Sequence, residues 1–266
     1  MGDIDIHKIS GKVAVITGGA GHIATQYCQL FARLGGRCVL VDRDQEPMDT
    51  VIAGLPKVTA GEHLRYVVDL ADNSQIDSFV DAITDELGAF DVLVNNAAFT
   101  GDTNMSGWVS DFDDQSLDAW NAAMSVNLTA VFLLCQRLRP LLTKGQSPCI
   151  LNIASIYGVL GPDMSLYEDL EMGNPAAYAA SKGGLVQLSR WLATVLSPNI
   201  RVNCISAGGI VRGQDPKFVN RYNARVPLGR MGVESDIAKA MLFMTSDLSS
   251  YVAGQNLMVD GGFSSW

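Results

Sequence analysis

The chain has 266 residues, 48% of them hydrophobic and 26 of them glycine, with a net charge of −9. No linker, charge block or repeat divides it, so a single domain over 1–266 is expected, large enough for one sizeable core. The acidic balance excludes nucleic acid and anionic membrane as general partners, and five scattered cysteines without a C-x-x-C pair point to reduced structural thiols.

The amino terminus lacks the apolar core of a signal peptide and the Ser or Thr that a myristoylation motif needs at position 6. No apolar run reads as a membrane span, so a soluble cytoplasmic protein is expected. The first strand, 13–16, runs into Thr-Gly-Gly-Ala-Gly-His-Ile-Ala at 17–24 and an amphipathic helix at 21–35. Glycines there permit a tight turn and bring backbone N–H groups against a pyrophosphate, with Gly18, Gly21, His22 and Ile23 as candidate contacts. A second strand, 38–41, ends in Asp42, 24 residues after Gly18, where an acid reaches an adenosine ribose 2′-hydroxyl and repels the extra phosphate of NADP. Arg43 follows directly and offers that phosphate some compensation.

A short helix near 45–54 leads to a strand at 64–68, whose end, Asp69-Leu70, suits the adenine edge. After a helix at 73–87, a strand at 92–94 ends in Asn95, Asn96, Ala97 and Ala98. These small residues leave room for a nucleoside, or the two asparagines simply end the strand. An Asp-rich loop, 102–118, lies across the same mouth. Then come a helix at 117–142, a strand at 150–153 and a helix at 175–196, followed by a strand at 202–205, a helix at 234–245 and a strand at 256–259. This alternation predicts a Rossmann-like, doubly wound α/β fold: a parallel sheet of about seven strands covered by helices on both faces. Ligands on such a sheet bind beyond the carboxyl ends of the strands, and each candidate residue falls at one of those ends.

Tyr178 and Lys182 lie four apart and share one helix face. A free tyrosine titrates near about 10 and is a poor base at neutral pH, whereas a neighbouring ammonium favours the phenolate. Hydride transfer from an alcohol carbon requires a base for the hydroxyl proton and a donor to the oxygen.

Taken in order, Thr17-Gly18 through Gly21, Asp69, Asn95 to Ala98, Asn127, Ser155, Tyr178 and Lys182 resemble the short-chain dehydrogenase/reductase family from about residue 10 to the end. The resemblance implies that Tyr178 is the general acid/base and that Lys182 binds the nicotinamide ribose and lowers the tyrosine pKa. It further implies that Ser155 hydrogen-bonds the reacting oxygen, that Asn127 anchors a relay water, and that Gly208 and Ile210 contact the cofactor, NAD. It also implies a homotetramer, or a dimer, with the carboxyl tail at an interface. Three features depart from the family pattern. Ser155 and Tyr178 are 23 apart where the family has about a dozen, so an insertion within 161–174 loops out beside the site. Tyr167, near the usual spacing, has Glu171 four residues on and is excluded as the activated tyrosine. The glycine turn is closer to the sugar-nucleotide epimerase branch, and the usual Pro-Gly and the later Thr are Ala207-Gly208 and Arg212.

The substrate loop is expected at about 207–232, and between 212 and 230 it holds Arg212, Lys217, Arg221, Arg225 and Arg230 against Asp215 alone. Such a stretch either grips a phosphate or forms a solvated helix face. On the first alternative Arg212, Arg221 and Arg225 bind an anionic small-molecule substrate, with Ser155, Tyr157 and Tyr178 around its reacting end. Segments 157–169 and 254–266 are similar to dehydrogenases of bacterial surface-sugar and flagellin-glycosylation pathways, which implies a phosphorylated or nucleotide-linked sugar. His7, His22 and His63 have no partners at ligand spacing, so no metal is expected. The expectation is therefore an NAD-dependent oxidoreductase interconverting a secondary alcohol and a ketone. Its rivals are an NADPH-dependent 3-oxoacyl reductase and a cofactor-binding sensor without turnover.

Overall fold

The computed structural model describes residues 9–101 and 105–266; the readings on the first eight residues, on His7 and on Asp102 lie outside them. Strands β1 (Val13–Thr17), β2 (Arg37–Asp42), β3 (Leu64–Val67), β4 (Val92–Asn95), β5 (Cys149–Ser155), β6 (Arg201–Ala207) and β7 (Asn256–Val259) form one sheet. The strand order is β3-β2-β1-β4-β5-β6-β7, with every pair parallel. Because side chains alternate along a strand, Ala14, Ile16, Leu40, Val92 and Val94 pack on one face and Val15, Val39, Val41 and Leu93 on the other. The first set meets α1 (His22–Arg33) and α8 (Glu234–Thr245); the second meets α3 (Asn73–Leu87), α5 (Ala130–Leu142) and α6 (Ala176–Leu196). A short α2 (Gln45–Ala53) follows β2. Burial on both faces explains why the strands read as unbroken apolar runs.

Two elements differ from the sequence expectation. The helix expected at 117–142 is α4 (Leu117–Met124) and α5 joined by a π turn, Ser125–Thr129, which carries Asn127. The basic stretch holds a further helix, α7 (Pro216–Arg225), started by Asp215, whose side chain accepts from the Lys217 N–H. A third correction concerns hydropathy: Leu117–Leu142, at a mean of 1.3, is long and apolar enough to cross a bilayer, contrary to the expectation that no run is. In the fold it is a core wall, with Val131, Leu134, Leu138 and Leu142 buried beside α3.

Asp91, just before β4, ties together the amino ends of the central strands β1 and β4. Its buried carboxylate accepts from the backbone N–H of Val13 at 2.7 Å and from that of Gln146. Asp91→Ala orphans both donors and should destabilise the fold by about 3 kcal/mol. Thermal unfolding should show a midpoint lower by roughly 5–10 °C, and a change below about 2 °C would contradict this role.

Candidate active site

The order of the strands reverses between β1 and β4, and a cavity of about 1000 Å³ opens at their carboxyl ends. Its cofactor end begins where β1 turns into α1. Gly18 sits at φ +61°, and a Cβ there would lie 2.9 Å from the Ala97 Cα, so only glycine lets the two strand exits approach. Thr17, which sequence reasoning passed over, is the hub of this contact: its Oγ1 accepts from the N–H of Asn96 at 3.0 Å and of Ala97 at 3.1 Å. The Asn96 amide donates back to the carbonyls of Thr17 and Gly18, so its side chain is committed to holding the turn. No side chain caps α1 at Gly21, leaving the first N–H groups facing the cavity, as an anion-binding helix terminus requires.

At the far side Asp42 accepts from the Ala20 N–H at 3.0 Å and the Arg43 N–H at 2.8 Å. Two backbone amides thus fix the carboxylate while leaving it lone pairs for a ligand. Every cofactor candidate lines this one cavity: Gly18, Gly21, His22, Ile23, Asp42 and Arg43 around the turn, Asp69, Leu70, Asn96, Ala97 and Ala98 beyond it, and Tyr178, Lys182, Gly208 and Ile210 at the opposite end. The glycine cradle, the uncapped helix and the held acid are the features a dinucleotide needs, so the residues present fit one.

Ser155 and Tyr178 meet at the catalytic end. The Ser155 hydroxyl lies close enough to the Tyr178 phenol to favour its ionised form, while Ser155 Oγ accepts from the Tyr157 N–H at 3.2 Å. Gly158 makes this approach possible, since a Cβ there would meet the Lys182 carbonyl at 2.7 Å. Lys182 is 2% exposed; its Nζ donates to the Ile153 carbonyl at 2.8 Å and lies 5.8 Å from the Tyr178 ring centroid. Burial holds the Tyr178 phenol above its ordinary value, with the Ser155 hydroxyl pulling it partway back, and burial pushes the Lys182 ammonium down to about 8. Desolvation is the larger influence on the phenol in this arrangement.

Asn127 is fully buried behind the cavity rather than lining it. Its Oδ1 accepts from the Phe99 N–H at 2.6 Å, and its Nδ2 donates to the Phe99 carbonyl and to Ser181 Oγ at 3.0 Å. This side chain clips the loop after β4 onto α6.

The basic stretch is reinterpreted by its partners. Arg212 lines the cavity, yet its Nε donates to Glu234 at 2.9 Å. Arg221 and Arg225 do not line it: Arg221 donates to the carbonyls of Leu166 and Glu168, and Arg225 pairs with Asp163. Arg230 pairs with Asp236. The opposing acids lie outside the stretch, which is why counting charges within it suggested an anion grip. Tyr157 lines the cavity as expected, and so do Tyr167, Phe218 and Tyr222, which were missed. Their one sequence signal was Phe218 and Tyr222 at i,i+4, hidden in a segment weighed only for its cations.

The family described as Enoyl-(Acyl carrier protein) reductase matches residues 18–264. The chain is 33% identical over 265 residues to the 3-oxoacyl-acyl-carrier-protein reductase FabG of Thermotoga maritima, covering 96% of this chain and 98% of that protein. It is 28% identical over 262 residues to D-threitol dehydrogenase of Mycolicibacterium smegmatis, covering 96% and 94%. Among solved structures, a short chain dehydrogenase from Leptospira borgpetersenii with bound NAD+ superposes with a TM-score of 0.83 at 32% identity, covering 97% of this chain and 95% of that one.

Proposed function

The chain belongs to the short-chain dehydrogenase/reductase family and acts on CH–OH groups as an oxidoreductase, and from that premise we propose that it uses NAD(H) to interconvert a neutral secondary alcohol and its ketone. The observation that carries this is the meeting of Ser155, Tyr178 and Lys182 at one end of a cavity whose other end is Asp42. The turn at Gly18 and Gly21 and the Asp42 carboxylate would hold NAD, which when bound would supply the hydride acceptor. Tyr178 receives the hydroxyl proton in oxidation and returns it in reduction, while Ser155 donates a hydrogen bond to the reacting oxygen. Lys182 supplies positive charge beside the Tyr178 ring, and Asn127 positions α6 against the loop after β4.

A phosphorylated or nucleotide-linked sugar was the expectation drawn from the basic stretch. Its support weakens because Arg212, Arg221, Arg225 and Arg230 are engaged with protein acids and carbonyls. A neutral ligand suits the remaining lining, in which Phe99, Ile156 and Phe218 stand beside tyrosine hydroxyls. The same reading places the protein in the cytoplasm, consistent with five free buried thiols, and as a homotetramer, with Trp191 and Trp266 among its exposed aromatics.

The Thermotoga relative favours a second reading, an NADPH-dependent 3-oxoacyl reductase, and Asp42 opposes it. A carboxylate fixed by two amides repels a 2′-phosphate in a partly desolvated site. Fluorescence titration should find NADH bound at least about tenfold more tightly than NADPH, and Asp42→Ala should shrink that ratio by about tenfold or more. Equal binding of the two by the unmodified protein would overturn the NAD assignment.

A further inference from the structure

The insertion between Ser155 and Tyr178 is a built wall of the substrate end. It folds into a short 3-10 turn, Met164–Tyr167, begun by Asp163, whose carboxylate accepts from Ser165. Three contacts clamp the wall to α7: the two carbonyl bonds from Arg221 and the Arg225–Asp163 pair. Leu166 and Tyr167 are buried against Phe218, Tyr222 and Val226. The rings of Tyr167 and Phe218 stand 5.4 Å apart, and those of Phe218 and Tyr222 5.8 Å apart, which fixes the Tyr167 ring. The arginines read as an anion grip are thus the struts of this wall.

The wall carries one polar feature into the cavity. Tyr167 Oη lies 2.7 Å from Tyr157 Oη, and both residues line the same space as Ser155 and Tyr178. Burial raises both phenols, so both remain neutral and keep their protons. Two neutral phenols hold two protons, of which their mutual bond uses one. One O–H and several lone pairs are left for a ligand, the complement of an alcohol hydroxyl. Leaving such a pair without a partner in a partly buried, partly apolar site has a cost.

We propose that the Tyr157–Tyr167 hydroxyl pair is a second recognition point for substrate, reading a further hydroxyl on a diol or short polyol while Ser155 and Tyr178 hold the oxygen that reacts. This rests on the alcohol-oxidising reading above and narrows its substrate class. Arg221 and Arg225 do not line the cavity and are engaged by the insertion's own carbonyls and Asp163, so the group recognised is neutral.

The test uses the full chain with NAD+ and two matched pairs of substrates: cyclopentane-1,2-diol against cyclopentanol, and butane-2,3-diol against butan-2-ol. The unmodified protein should prefer each diol, by kcat/KM, about tenfold or more. Tyr167→Phe and Tyr157→Phe keep the rings and should each lower the diol-to-monoalcohol ratio about tenfold, mainly through KM. Thermal unfolding of both variants separates this from a packing defect, which lowers both substrates alike. A ratio left unchanged in both variants, or no diol preference in the unmodified protein, overturns the tyrosine pair while leaving the alcohol-oxidising reading intact. No reduction of NAD+ with any of the four overturns both.

Discussion

Tyr178→Phe should lower kcat/KM for alcohol oxidation by about 10³-fold, within the range a positioned acid–base group supplies. The substitution keeps the ring that packs with Trp108, Ala119, Ala123 and Ala177, so the helix and the cofactor end should be undisturbed. What it removes is the phenol oxygen beside Ser155, on a tyrosine that is not paired with another phenol. NADH affinity measured by fluorescence should therefore change less than about twofold, the split expected of an interaction made only at the reacting oxygen. The pH profile adds a second check. Burial raises this phenol, so it is protonated at neutral pH and ready to donate in ketone reduction. Oxidation needs the phenolate and should quicken as pH rises, whereas the Phe variant should lose that limb. Near-normal turnover by the variant would remove Tyr178 from the chemistry.

Lys182→Met should act on both function and stability, in opposite directions. Removing the only ammonium at this end should cut kcat/KM by about 10²-fold or more and weaken NADH binding, so both measurements move, unlike those for Tyr178→Phe. Stability should rise instead. The folded pKa is depressed from 10.5 to about 8, so between those values the unfolded chain binds more protons than the folded one. The cost of keeping the buried charge is full below about 8 and fades as pH climbs toward 10.5. A methionine of similar length avoids it. The variant should unfold a few degrees higher than the unmodified protein at pH 7, with the gap closing by pH 10. A less stable variant at pH 7 would show that the bond from Nζ to the Ile153 carbonyl outweighs desolvation.

Much of the cofactor end was legible because its signals are local. A glycine turn between a strand and a helix, an acid at the end of β2 and small residues at the end of β4 each follow from chain direction and period, and parallel strands put their ends on one side. The same logic placed Ser155, Tyr178 and Lys182. It did not reveal the partners of the Asn127 side chain, Phe99 and Ser181, because a π turn in the middle of a helix has no distinctive composition. A helix face was one of the two readings of the basic stretch, but its cations drew attention away from Phe218 and Tyr222.

Apolar periodicity and a handful of short spacings determined the layered sheet and the residues that gather at its carboxyl ends, since each depends on neighbours a few residues away. The partners of the cations and the lining of the substrate end were decided only by tertiary structure. Arg221 finds its carbonyl partner 55 residues away at Leu166, and Tyr167 is turned onto Tyr157 by a wall that α7 holds in place. Electrostatics depends on distance through space, and a cation's partner cannot be read from the residues beside it in the chain.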